Sequence, residues 1–167
     1  MSTENFDLPA SSELALIPKI LVVEPDPALS EMLCTLFFET GYDCKIVNSC
    51  TDIIPLLESY GPDLVLVEYL LTNVNGGELC MQVKSDARYI SIPVILYSAY
   101  PQLLWSVEDY GCDAFLAKPF DVDELCLTID RLLVKGKEAR RFSLLADTLK
   151  NRLNYLGRFL GGIAKVA

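Results

Sequence analysis

Five short apolar runs, each followed by a stretch of helical periodicity, constrain this 167-residue chain more than any other feature. The runs are Ile20-Leu21-Val22-Val23, Cys44-Lys45-Ile46-Val47, Leu64-Val65-Leu66-Val67, Pro93-Val94-Ile95-Leu96-Tyr97 and Ala114-Phe115-Leu116-Ala117. Strands that are apolar at successive positions bury both faces, as in parallel sheets covered by helices on each side. After the first run, Asp26 is placed to cap a helix and Pro27 to open it. Leu29, Met32, Leu33, Leu36 and Phe37 then recur at helical spacing until Gly41. Further helices are expected over about 51–60, 77–86, 101–110 and 121–134, separated by Gly61-Pro62, Asn75-Gly76-Gly77 and Gly111. Right-handed crossovers joining such strands give an α/β fold, a doubly wound five-stranded parallel sheet flanked by helices.

Composition narrows the class. No apolar run approaches the roughly 20 residues that span a bilayer. The first 18 residues hold acids and no early basic cluster, so a secretory or transit signal is not expected and a cytoplasmic protein is. The six cysteines follow no CxxC spacing and the chain has no histidine, which removes most zinc patterns and every histidine-dependent triad. They read as reduced, packing thiols. Charge divides the chain: residues 1–134 carry 21 acidic and 6 basic side chains, residues 135–167 carry 2 and 8. The acidic body is a poor nucleic-acid binder, and a body and tail of opposite sign suggest different partners. The expected organisation is an N-terminal tail over 1–18, one domain over 19–134 and a basic amphipathic helix over 135–167.

In doubly wound sheets, ligands and chemistry sit at the carboxyl ends of the strands. The residues there are Glu24, Glu68, Ser98 and Lys118. Two acids, a hydroxyl and a cation are thereby expected to converge. This gives Glu68, at the end of an otherwise apolar run, a counter-ion to face, as a buried carboxylate requires.

The ordered set KILVVEPD, PDLVLVEYLL with NGGEL, IPVILYSAY and GCDAFLAKPFDVDEL resembles the receiver domain of two-component response regulators, over about Lys19 to Leu133. The resemblance implies a flavodoxin-like fold. It also implies two acids after strand 1 that hold Mg2+, a phosphoacceptor Asp ending strand 3, a Ser or Thr and a Lys that bind phosphoryl oxygens, and an aromatic switch on strand 5. By that correspondence Glu68 stands at the phosphoacceptor, Ser98 and Lys118 line the phosphoryl pocket, and Phe115 is the switch aromatic. Glu24 stands at the first acid, but Pro25 stands at the second. Asp26, next in line, reads better as a helix cap than as a metal ligand.

These departures bear on chemistry. Phosphoryl transfer needs an acceptor aligned with a group that Mg2+ and Lys orient and neutralise. One further methylene moves a carboxylate by roughly 1.5 Å, and a misplacement of about 1 Å costs on the order of a hundredfold in rate. Loss of a ligand at Pro25 weakens any Mg2+ site separately. The expectation is a pseudo-receiver without a cofactor, which signals through protein contacts with partners such as a histidine kinase or an output protein. A receiver that still takes phosphate on Glu68 with Mg2+ is the alternative. Glu68 paired with Lys118 either imitates the phosphorylated state or is a satisfied ion pair in a decayed site. Tyr97, Tyr100, Trp105 and Phe115 lie on or around the signalling face, with Tyr100 and Trp105 as interface candidates and Phe115 read as core.

In the tail, Phe142, Ala146, Leu149, Leu153, Leu156, Leu160, Ile163 and Ala167 recur at alternating intervals of four and three, a heptad seam with basic residues on the polar side. A homodimer or partner helix fits the seam, contact with an anionic membrane surface through 138–167 fits the charge, and folding back on the acidic body fits both. DNA binding is not expected, because no recognition fold accompanies the tail.

Overall fold

A computed structural model describes residues 17–100 and 110–163; within the C-terminal helix its side chains are described to Phe142 and at Ala146 and Lys150. Five strands, β1 (Lys19–Val23), β2 (Asp43–Val47), β3 (Leu64–Glu68), β4 (Val94–Ser98) and β5 (Ala114–Ala117), form one sheet in the order β2-β1-β3-β4-β5. All pairs are parallel. The described helices are α1 (Pro27–Glu39), α2 (Ile54–Tyr60), α3 (Gly76–Ser85) and α4 (Val122–Ile163). The helix expected over 101–110 lies outside the described residues apart from Tyr110, as do residues 1–16 of the N-terminal tail.

The continuous apolar runs do what their pattern requires, and each strand feeds both faces of the sheet. Ile20, Val22, Leu64, Leu66, Ile95, Tyr97 and Leu116 pack under Leu33 and Phe37 of α1 and Leu125, Ile129, Leu132 and Leu133 of α4. The alternate residues Leu21, Val23, Val65, Val67, Val94 and Leu96 pack under Ile53 and Leu57 beside α2 and Leu79, Cys80 and Val83 of α3. Side-chain alternation along a strand produces this division.

Helix ends follow local chemistry. Asp26 caps α1 by accepting from the Ala28 and Leu29 amides at 2.8 and 3.3 Å, with Pro27 in the first turn. Asn75 caps α3 by accepting from the Glu78 amide at 2.9 Å, and its side-chain Nδ2 donates to Glu78 Oε1 at 2.9 Å. Gly76 follows the cap where nothing larger fits, since a Cβ there would stand 2.3 Å from the Glu68 carbonyl oxygen. Helix α2 begins at Ile54 rather than near 51, because Asp52 and Pro55 set its first turn late.

The last helix differs most from expectation. Lys135-Gly136-Lys137 reads as a boundary, yet α4 runs through it without a break for 42 residues, about 63 Å at the usual helical rise. Gly136 is buried where the helix crosses the edge of the body, and a Cβ there would lie 3.1 Å from Pro93 Cδ. One turn later Arg140 donates to Asp63 at 2.9 Å and to the Pro62 carbonyl at 3.2 Å. The first turns of the basic segment are thus tied to the base of the sheet.

Candidate functional site

Hydrogen bonding continues beyond the strand ends and fixes the site residues to rigid backbone. The Glu24 amide donates to Val47 O at 3.0 Å and the Lys118 amide to Ser98 O at 2.7 Å. Glu68 is itself the last residue of β3, in register with Tyr97. Strand parity then decides which side chains meet. Glu24 continues the series Ile20 and Val22, Glu68 the series Leu64 and Leu66, and Lys118 follows Leu116, so all three project toward the face under α1 and α4. Tyr97 has the same parity.

These four side chains form one cluster. The Lys118 ammonium lies 2.5 Å from Glu68 Oε2 and 2.9 Å from Glu24 Oε2. The Tyr97 hydroxyl donates to Glu24 Oε2 at 2.7 Å, and the lysine sits over the Tyr97 ring, 4.5 Å from its centroid. Backbone amides take the remaining carboxylate oxygens: Asp26 donates to Glu24 Oε1 at 2.8 Å and Leu70 to Glu68 Oε1 at 3.0 Å. Both side chains are nearly inaccessible, at 1% and 7% exposure. Such burial is tolerable only with a cation and a full set of donors. Phe120 packs edge-on against Tyr97, and the Lys118–Pro119 peptide is cis.

The buried position of Tyr97 among two carboxylates pushes its phenol well above the usual range, first by desolvation and then by the charge of Glu24. It is a neutral donor at any ordinary pH. By sequence Tyr97 reads as either core or surface, and its role as a site residue is not apparent there. The signal that would have found it is its parity with Glu24 and Glu68.

The other expected site residues are placed as follows. Ser98 is fully buried at the end of β4, with the opposite parity, and its hydroxyl accepts from the Tyr100 amide at 3.3 Å. The Asp26 carboxylate is exposed and engaged as the α1 cap, so it does not join the cluster. Phe115 is half-buried and packs with the residues under α2 and α3. Tyr100 is 48% exposed and Phe142 73%. Trp105, and the side chains of Leu149, Leu153, Leu156, Leu160 and Ile163, lie outside the described residues. Among the described residues, no group of three or more His, Cys, Asp and Glu side chains is arranged to hold a metal ion.

The parallel 2-1-3-4-5 sheet, with acids, a hydroxyl and a lysine at its carboxyl edge, defines a receiver architecture. Residues 20–130 match the response regulator receiver domain family, and the chain belongs to it. Over 119 residues it is 33% identical to the DNA-binding dual master transcriptional regulator RpaA of Synechocystis, a match covering 70% of this chain and 49% of that one. It spans about half the length of the curated relatives it matches. Among solved structures it is similar to the signal receiver domain of a histidine kinase from Syntrophus aciditrophicus, with 30% identity and a TM-score of 0.65, covering 70% of this chain and 90% of that one. The receiver domain of an HD domain-containing protein from Pseudomonas fluorescens shares the fold, with a TM-score of 0.71 at 24% identity, over 79% and 98% of the two chains.

Proposed function

We propose that this receiver domain works without phosphorylation at its acceptor position, as a non-enzymatic module that signals through protein contacts, with a histidine kinase or an output protein as partner. The observation that carries this reading is the Glu68–Lys118 contact at 2.5 Å, shared with Glu24. The resemblance assigns the lysine to binding phosphoryl oxygens. Here an internal carboxylate occupies it, and the longer Glu side chain has the reach to do so.

The metal that the family uses fits this chain poorly. Pro25 supplies no carboxylate, Asp26 faces its own helix, and all four oxygens of Glu24 and Glu68 are already taken by Lys118, Tyr97 and backbone amides. A divalent cation seeking several oxygen ligands would have to displace the ammonium. The reading is therefore of a site that needs no cofactor. DNA contact, named for the relative RpaA, is not proposed for this acidic domain.

Radiolabelled acetyl phosphate tests the proposal. The wild-type chain stays unlabelled with Mg2+ present, and Pro25→Asp combined with Glu68→Asp gains label by about a hundredfold or more. Stable label on Glu68 in the wild type would overturn the reading and restore the phosphoaccepting alternative.

A second copy of the chain is proposed as a further partner, through the outer face of α4. Leu127, Val134 and Phe142 are 70%, 60% and 73% exposed. They continue into Leu149, Leu156 and Ile163 at intervals of seven, eight, seven, seven and seven residues along one unbroken helix. Among the described residues no helix is long and apolar enough to cross a membrane. Contact with an anionic membrane surface is the competing outcome for the basic tail.

A further inference from the structure

We propose that Cys80 and Cys112 are a thiol pair that a hydroperoxide oxidises to a disulfide, tying α3 to the segment that leads into β5. Cys80 lies in the middle of α3 and is fully buried, whereas Cys112 is partly exposed. The two thiols are close enough for each to act on the other's ionisation. Cys80 Sγ also donates to the Tyr110 carbonyl at 3.3 Å, two residues before Cys112.

The backbones on either side of the pair are held together at two further points. Gly77, one turn before Cys80, is packed so closely on Tyr110 that a Cβ would stand 2.6 Å from its ring. Lys84, one turn after Cys80, pairs with Asp113 at 2.6 Å, and Asp113 in turn accepts from the Val94 amide at 2.9 Å. A disulfide needs two Cα atoms brought close and kept so. The packing of α3 against residues 110–113 provides that juxtaposition without the bond.

The two sulfurs have distinct roles. Contact with Cys80 lowers the Cys112 thiol below its ordinary range, and the Lys84 charge assists, while burial and Asp113 oppose it. The same contact, with burial, pushes Cys80 up. Cys112, partly exposed where Cys80 is fully buried, is the sulfur that attacks, as attack on peroxide follows exposure and thiolate character. Its sulfur takes the distal oxygen of the hydroperoxide, the O–O bond breaks, and water or an alcohol leaves. Cys80 sulfur then attacks the resulting sulfenic acid, the S–O bond breaks, and the hydroxyl leaves as water with the Cys80 proton. The thiols lose two electrons and the hydroperoxide gains them. Cys44 and Cys50 have thiols pushed up to about 12 and about 11 by burial, which suits packing rather than reaction.

This inference uses residues remote from Glu68 and Lys118, so its success or failure is independent of the acceptor-site reading. The test treats the full chain with hydrogen peroxide, unfolds it in the presence of an alkylating agent, and maps the cysteines by mass spectrometry. The expected product has lost two hydrogen masses, joins Cys80 to Cys112, and regains both thiols with dithiothreitol. Cys112→Ser abolishes the crosslink. Cys80→Ala leaves Cys112 as a sulfenic acid that dimedone traps. Recovery of Cys80 as an alkylated thiol after oxidation, or linkage of either cysteine to Cys34, would overturn the proposal. If Cys80→Ala does not fold, the wild-type map and Cys112→Ser decide alone.

Discussion

Removing the Lys118 ammonium would leave Glu24 and Glu68, with side chains 1% and 7% exposed, facing each other without a counter-charge. Breaking a buried pair from one side typically costs about 3–5 kcal/mol, far more than the about 0–1 kcal/mol of a surface pair. Lys118→Met is therefore expected to lower unfolding free energy by about 3–5 kcal/mol in urea titrations, and Lys118→Arg by much less. A loss below about 1 kcal/mol for the methionine variant would mean that water already screens the cluster. Buried acids of a different kind set the alkaline limit. Burial raises Cys44 and Cys50 from 9.0 to about 12 and about 11, and Tyr97 upward from 10.0. Below pH 9.0 these groups are protonated in both folded and unfolded chains and favour neither. Above it the unfolded chain ionises first, so stability falls as pH rises from 9.0 through about 11 for Cys50 and about 12 for Cys44. Thermal melts across that window test the sign, and Tyr97→Phe is expected to soften the part of the fall that begins above 10.0.

Among the elements, the strands and caps were legible because their determinants are local. Asp26 with Pro27 carries its partners within a few residues, so the sequence alone indicates what it bonds. The continuity of α4 past residue 134 was not legible, for the opposite reason. Gly136 reads as a helix breaker, at a propensity cost of about 1 kcal/mol, and its neighbours are two lysines. What keeps α4 continuous there is contact with Pro93 and the Arg140 clamp on Asp63 and Pro62, residues more than forty positions away in the chain. A glycine chosen for close approach looks the same in sequence as one chosen for a turn.

For the whole molecule, an unbroken α4 alters how self-association should be tested. Truncation after residue 136 would cut within a helix and remove the Arg140 clamp, so substitutions in the full chain are preferable. Sedimentation of the wild type is expected to give a dimer, and Leu149→Lys with Leu156→Lys a monomer. A wild-type monomer that binds anionic vesicles would instead favour the membrane-surface outcome. Strand number, sheet class and the identities of Glu24, Glu68, Ser98 and Lys118 at the strand ends all follow from periodicity along the chain, because parallel strands buried on both faces have a distinctive local pattern. Which of these side chains meet is a property of register across four neighbouring strands, and no local pattern encodes that. The fold decided that Lys118 lies between two carboxylates, that Tyr97 joins them from the core, and that Asp26 turns away to its helix.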